Sequence, residues 1–107
     1  MTRKPVLRRR RADDDIESAI AFYLEEAGSG VAAEFVNELE NVLASISRHP
    51  AAGSSRYGLE PRIPGLRMWV MTSFPYLIFY LVKEARIEIV RVLHDSMDIP
   101  SRLDEEE

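Results

Sequence analysis

The apolar residues of this 107-residue chain change period once, and that change constrains the fold more than any other feature. Ala12, Ile16, Ala19, Ile20, Tyr23, Leu24 and Ala27 recur at intervals set by one face of an α-helix. Ala32, Phe35, Val36, Leu39, Val42, Leu43 and Ile46 repeat the pattern. Gly28-Ser29-Gly30 separates the stripes. Gly28 suits the left-handed residue after a helix, and Ser29 is placed to cap the next one. A link that short makes the two helices an antiparallel hairpin. From Leu66 the period becomes two: Leu66, Met68 and Val70 alternate with Arg67, Trp69 and Met71. Tyr76 to Val82 is apolar throughout and reads as a strand covered on both faces. Arg86 to His94 forms a last strand. Strict alternation there puts Ile87, Ile89, Arg91 and Leu93 on one side and Glu88, Val90, Val92 and His94 on the other.

Val6 and Leu7 suggest a short first strand within Pro5 to Arg11. Asp13, Asp14 and Asp15 offer an N-cap and negative charge at the positive end of the first helix dipole. His49 to Gly65 is a loop rich in Pro, Gly and Ser. The polar tail ends in acids, and its last eight or so residues are expected to be flexible. The order β-α-α-β-β-β over a single domain, residues 1–107, gives an α+β fold: an antiparallel helical hairpin packed on one face of a small, mostly antiparallel sheet. The other face is then open. It presents some of Arg67, Trp69, Met71 and the aromatics of the central strand, and such a face calls for a partner.

Several function classes are excluded. There is no cysteine, so no disulfide scaffold and no thiolate nucleophile. The longest apolar run has seven residues, whereas a membrane span needs about 20. The basic N-terminus precedes no apolar stretch and is no secretory signal, so the expected location is cytoplasmic. With His49 and His94 the only histidines and no carboxylate at ligand spacing, no metal site is expected. No phosphate-cradling glycine loop is present, and no cofactor is expected.

Charge is segregated. Residues 1–11 carry six bases and no acid, and residues 12–47 carry nine acids and no base. Residues 48–94 carry seven bases against three acids; residues 95–107 carry six acids against Arg102. This describes either solvated faces or a dipolar molecule whose basic side attracts an acidic partner or nucleic acid. One set of residues could support metal-free RNA cleavage: Arg67, Arg91 and His94 on neighbouring strands, with Arg56 and Arg62 before them. The competing reading pairs Arg67 and Arg91 with Glu60, Glu88 or a partner's carboxylates. By alternation Arg91 and His94 face opposite sides of their strand.

Three stretches carry a family resemblance. The first is Ala12 to Ile16 with Tyr23, then Gly30, Ala33 and Phe35. The second is Pro50, Gly53 and Arg56 with Gly65-Leu66-Arg67. The third is Pro75 to Tyr80, then Ile87 to His94, with Asp98 after it. Together they resemble the ParE branch of the ParE/RelE toxins of type II toxin–antitoxin modules. The resemblance implies the fold derived above and a toxin that inhibits DNA gyrase by protein–protein binding. It also implies a ParD-like antitoxin, encoded in the same operon, that neutralises the toxin and alone contacts operator DNA. The alternative it implies is a RelE-like ribosome-dependent mRNA endonuclease using Arg67, Arg91 and His94. This chain lacks the lysine-rich centre and C-terminal Tyr of that branch. On the toxin reading Arg67, Trp69, Met71, Tyr76, Phe79, Tyr80 and Arg91 are the expected antitoxin contacts. Tyr76 and Tyr80 share one strand face and Phe79 the other, so some of these belong to the core. Asp98, Ile99, Arg102 and Leu103 are the expected target contacts.

Overall fold

The structure, a computed structural model, describes residues 4–58 and 63–104. Its elements are β1 (Val6–Arg8), α1 (Arg10–Ala27), α2 (Ser29–Arg48), a 3-10 turn at Pro50–Ala52, β2 (Arg67–Val70), β3 (Tyr76–Val82), β4 (Ile87–His94) and α3 (Ile99–Leu103). The helical stripes fold as their spacing dictates. Ala12, Ile16 and Ala19 of α1 and Ala32, Phe35, Leu39, Val42 and Ile46 of α2 are buried against one face of the sheet. The helices meet at Gly28, whose φ of +93° is the left-handed region that glycine enters without a Cβ clash. Ser29 is the first residue of α2 and makes no capping hydrogen bond. The Asp13–Asp15 triplet caps nothing either. The helix starts at Arg10, ahead of it, because β1 runs almost directly into α1.

The sheet order is β1-β4-β3-β2. β2 pairs antiparallel with β3, β3 antiparallel with β4, and β1 parallel with β4 through Val6–Ile87 to Arg8–Ile89. The β3–β4 register slips between Phe79, which faces Arg91, and Tyr80, which faces Ile89. Val90 is the extra residue of a bulge. This insertion overturns the strict alternation expected from the sequence. Ile87, Ile89 and Val92 pack under the helices, whereas Val90 and Leu93 belong to the opposite face.

That opposite face is not open. Ile63, Leu66 and Met68, with Ile99 and Leu103 of α3, pack over Phe79, Leu81, Val90 and Leu93 as a second apolar cluster, with Tyr57 and Leu77 against it. The alternation of β2 is also inverted relative to the expectation. Met68 faces this outer layer, and Trp69 and Met71 lie on the helix side. Pro100 to Leu103, four of the eight or so residues of the expected tail, lie in α3, and the last three residues lie outside those described. Ile99 and Leu103, spaced one turn apart, are 7% and 2% exposed and pin α3 down. Arg3, Glu60, Arg62 and the final three acids lie outside the described residues.

Candidate functional site

The site is built where β1 ends. β1 accompanies β4 only as far as Ile89, and the chain then enters α1, with the Arg9 N–H donating to the Ile89 carbonyl at 2.9 Å. Past that point the outer edge of β4 has lost its strand neighbour. A side chain of α1 takes over: the Val92 N–H donates to the Asp15 Oδ2 at 2.9 Å. The same carboxylate receives Arg91 in a two-point pair, Nε to Oδ2 at 2.7 Å and Nη2 to Oδ1 at 2.9 Å. Arg91 Nη1 donates onward to the Arg102 carbonyl of α3 at 2.7 Å. A buried pair of this kind persists because every polar atom of it is partnered.

On this floor lies a groove of about 430 Å³ between α1 and the β4 edge. Ser18, Ala19 and Phe22 form one wall, Tyr76, Val92 and His94 the base, and Ser96, Met97 and Arg102 the other wall. Phe22 is 55% exposed and Met97 37%, large apolar side chains left in solvent beside a cavity. Phe22 stands out because it falls off the buried stripe of α1, on the helix flank that overlooks β4. Its ring meets Tyr23 edge-on at 5.2 Å; Tyr23 and Phe35 both pack on Tyr76, and Phe74 packs on Tyr23 and Phe35. The Tyr76 ring then meets His94 edge-on at 5.2 Å. The groove floor is thus the outer end of an aromatic chain rooted in the core. Burial pushes the Tyr76 phenol above its ordinary value, with the Tyr23 and Asp15 charges adding to the effect, so it stays neutral. His94 Nδ1 sits 2.7 Å from Ser96 Oγ and accepts the Ser96 N–H at 3.1 Å.

Of the residues named from sequence, Tyr76, Arg91, His94 and Arg102 converge here. Arg91 and His94, expected on opposite sides, keep a regular register between them, and both border one groove because the Arg91 guanidinium extends to Asp15 of α1. Arg67 does not join them. It lies on β2 opposite Tyr80, and its Nη1 donates to the carbonyls of Ala51 and Gly53 at 3.1 and 2.9 Å. Among the described residues it makes no ion pair with Glu88, and Glu60 lies outside them. The trio Arg67, Arg91 and His94 is therefore divided between two regions, with Arg91 committed to Asp15. Met71, Tyr76, Phe79 and Tyr80 are buried in the isolated chain, and Trp69 is half-buried. In α3, Asp98 and Arg102 are exposed while Ile99 and Leu103 face inward. Sequence reasoning missed Asp15, Phe22 and Met97. Phe22 alone had left a signal, as a large apolar residue off the helical stripe. The groove offers apolar walls, an exposed Phe and Met, and a rim cation, which suits a peptide segment with an apolar face.

Comparison with known proteins agrees with the fold. A family profile described as "ParE toxin of type II toxin-antitoxin system, parDE" matches residues 6–99. The chain is 32% identical over 100 residues to Toxin ParE1 of Caulobacter vibrioides, an alignment covering 94% of this chain and 98% of that protein. Among solved structures it is similar to a chain of the chromosomal ParDE TA system from P. aeruginosa, with a TM-score of 0.72 and 20% identity. That superposition covers 85% of this chain and 95% of the other.

Proposed function

The chain belongs to the ParE toxin family of type II toxin–antitoxin systems, and from that membership we propose that it inhibits DNA gyrase by protein–protein contact and is neutralised by a ParD-like antitoxin encoded beside it. The observation that carries the antitoxin half is the α1/β4 groove. A partner segment with an apolar face would cover Phe22 and Met97, pack on Tyr76 and Val92, and offer a carboxylate to Arg102 at the rim. Burying exposed apolar surface supplies the affinity at about 25 cal/mol per Å² before the costs of ordering the partner. Met71, Phe79 and Tyr80 support this surface from the core and would not touch the antitoxin. Asp98 and the outer side of α3 are the surface offered to the target, with Ile99 and Leu103 holding it in place.

The mRNA-cleavage alternative gains no support from the geometry, because Arg91 is buried on Asp15 and Arg67 binds loop carbonyls elsewhere. Supercoiling of relaxed plasmid by purified gyrase tests the gyrase half. Excess toxin should leave the plasmid relaxed. Unimpaired supercoiling by a preparation that still arrests growth, with new codon-phased cuts in cellular mRNA, would overturn it.

A further inference from the structure

Tyr76 and Tyr80 share the face of β3 beneath the helices and are 7% and 0% exposed. Their hydroxyls differ. Tyr80 donates to the Pro50 carbonyl and accepts the Gly53 N–H. The Tyr76 hydroxyl makes no hydrogen bond among the described residues. No side-chain polar atom among those residues is both sealed from solvent and unpartnered, so this hydroxyl keeps its contact with solvent. Tyr76 lies at the base of the α1/β4 groove, and solvent reaches it there. Neighbouring polar groups of the groove are already engaged. Asp15 holds Arg91 and the Val92 N–H, and His94 Nδ1 holds Ser96. A segment that fills the groove therefore shuts solvent away from one hydroxyl that has no partner of its own. A wholly apolar segment would leave that hydroxyl buried and unsatisfied, which weakens binding about tenfold or more.

We infer that Tyr76 is a specificity-determining residue of the groove, its hydroxyl donating a hydrogen bond to an uncharged carbonyl oxygen of the antitoxin segment. The inference rests on the reading of this groove as the antitoxin site. Two features select that acceptor. Burial keeps the phenol protonated, and Tyr23 and Asp15 reinforce this, so the group enters the complex able to donate. The Asp15 charge that acts on the phenol also disfavours a second carboxylate beside it; a carboxylate of the partner belongs at the rim, with Arg102. A main-chain carbonyl or an Asn or Gln carboxamide satisfies the hydroxyl without adding charge. The ring is already fixed by edge-on contacts with Tyr23, Phe35 and His94 at 6.3, 5.4 and 5.2 Å. The donor is thus in place before the partner arrives, and little ordering is left for binding to drive. An apolar anchor is then not enough: the segment must carry a carbonyl beside it, and a site built around a hydroxyl rejects a segment that lacks one.

The test is surface plasmon resonance of the purified antitoxin, the product of the adjoining gene, on wild-type, Tyr76→Phe and Phe22→Asp toxins at full length. Tyr76→Phe keeps the ring and removes one oxygen. It should weaken binding about tenfold, mostly through faster dissociation, while leaving the unfolding midpoint unchanged. Replacing the antitoxin's Asn and Gln residues one at a time by Leu separates the two sources of the carbonyl. A change that costs the wild-type toxin about tenfold and the Tyr76→Phe toxin nothing identifies a carboxamide. If no such change is found, the carbonyl is main-chain. Wild-type affinity of Tyr76→Phe, where Phe22→Asp abolishes binding, overturns the inference and leaves the groove reading standing. Weakening accompanied by a lowered unfolding midpoint also overturns it, because damaged ring packing is then the cause. If neither variant changes the affinity, the groove is not the antitoxin site and both readings fall.

Discussion

Arg91 is the residue on which the candidate site depends. Its side chain is 5% exposed and holds Asp15 at two points, while Asp15 also serves the Val92 N–H. Removing the guanidinium leaves a carboxylate in a poorly solvated place with only a backbone amide for company. Arg91→Ala should therefore cost about 3–5 kcal/mol of stability, read by urea unfolding. Arg91→Lys should recover only part of it, since an ammonium cannot reproduce the two-point pair. A loss below 1 kcal/mol for the alanine variant would mean that the pair is dispensable. Tyr80 of β3 plays a comparable part toward the turn after α2. Its hydroxyl donates to the Pro50 carbonyl at 2.8 Å and accepts the Gly53 N–H at 3.0 Å. A Cβ at position 53 would stand 2.2 Å from that oxygen, which is why the loop carries glycine there.

At the scale of elements, α3 closes the outer face of the sheet with two side chains. Ile99→Ala or Leu103→Ala should each cost about 2–4 kcal/mol, at the low end if the five-residue helix detaches and the site collapses. The double variant should bind a hydrophobic dye through newly exposed Phe79, Val90 and Leu93. A silent dye signal would show that α3 is not what covers that face. The helical hairpin was legible in the sequence because each helix has an unbroken apolar stripe, β2 because it alternates, and β3 and β4 because they are runs of β-forming residues separated by a short polar turn. α3 was not, because five residues with two apolar positions give no period, and the surrounding acids resemble a solvated tail. The bulge at Val90 was hidden for a related reason: every residue from Ile87 to Leu93 is buried, so neither phase of the strand announces itself as the outer one. That one insertion puts Val92, and not Leu93, on the side of Ile87 and Ile89. Arg91 reaches the groove through its own long side chain, paired with Asp15, while Arg67 lies on β2. Asp15 was read as part of a helix start because three consecutive acids near a helix beginning look like a cap; its partner lies 76 positions away.

For the whole molecule, the charge segregation of the sequence becomes spatial. Arg9 and Arg86 close around Glu88, and the acid-rich helix surfaces lie elsewhere. Hydrogen bonding from Arg9 holds the Glu88 carboxyl below the ordinary carboxylate range; burial works against this, and Arg86 reinforces it. A carboxyl with a lowered native pKa adds stability that is present above its unfolded value and is lost as pH falls through its native value. The protein should therefore lose stability through the acid side of the carboxylate range. Glu88→Gln should flatten that limb of a stability–pH curve while lowering the plateau at neutral pH. An unchanged acid limb would assign the effect to other carboxylates. A toxin fold with one neutralising groove is tested most directly by gyrase supercoiling with wild-type and Phe22→Asp toxin, each titrated with the antitoxin. Both toxins should inhibit supercoiling, and antitoxin at near-equal concentration should relieve only the wild type. Equal relief of both toxins, or no inhibition by the wild type, would contradict it.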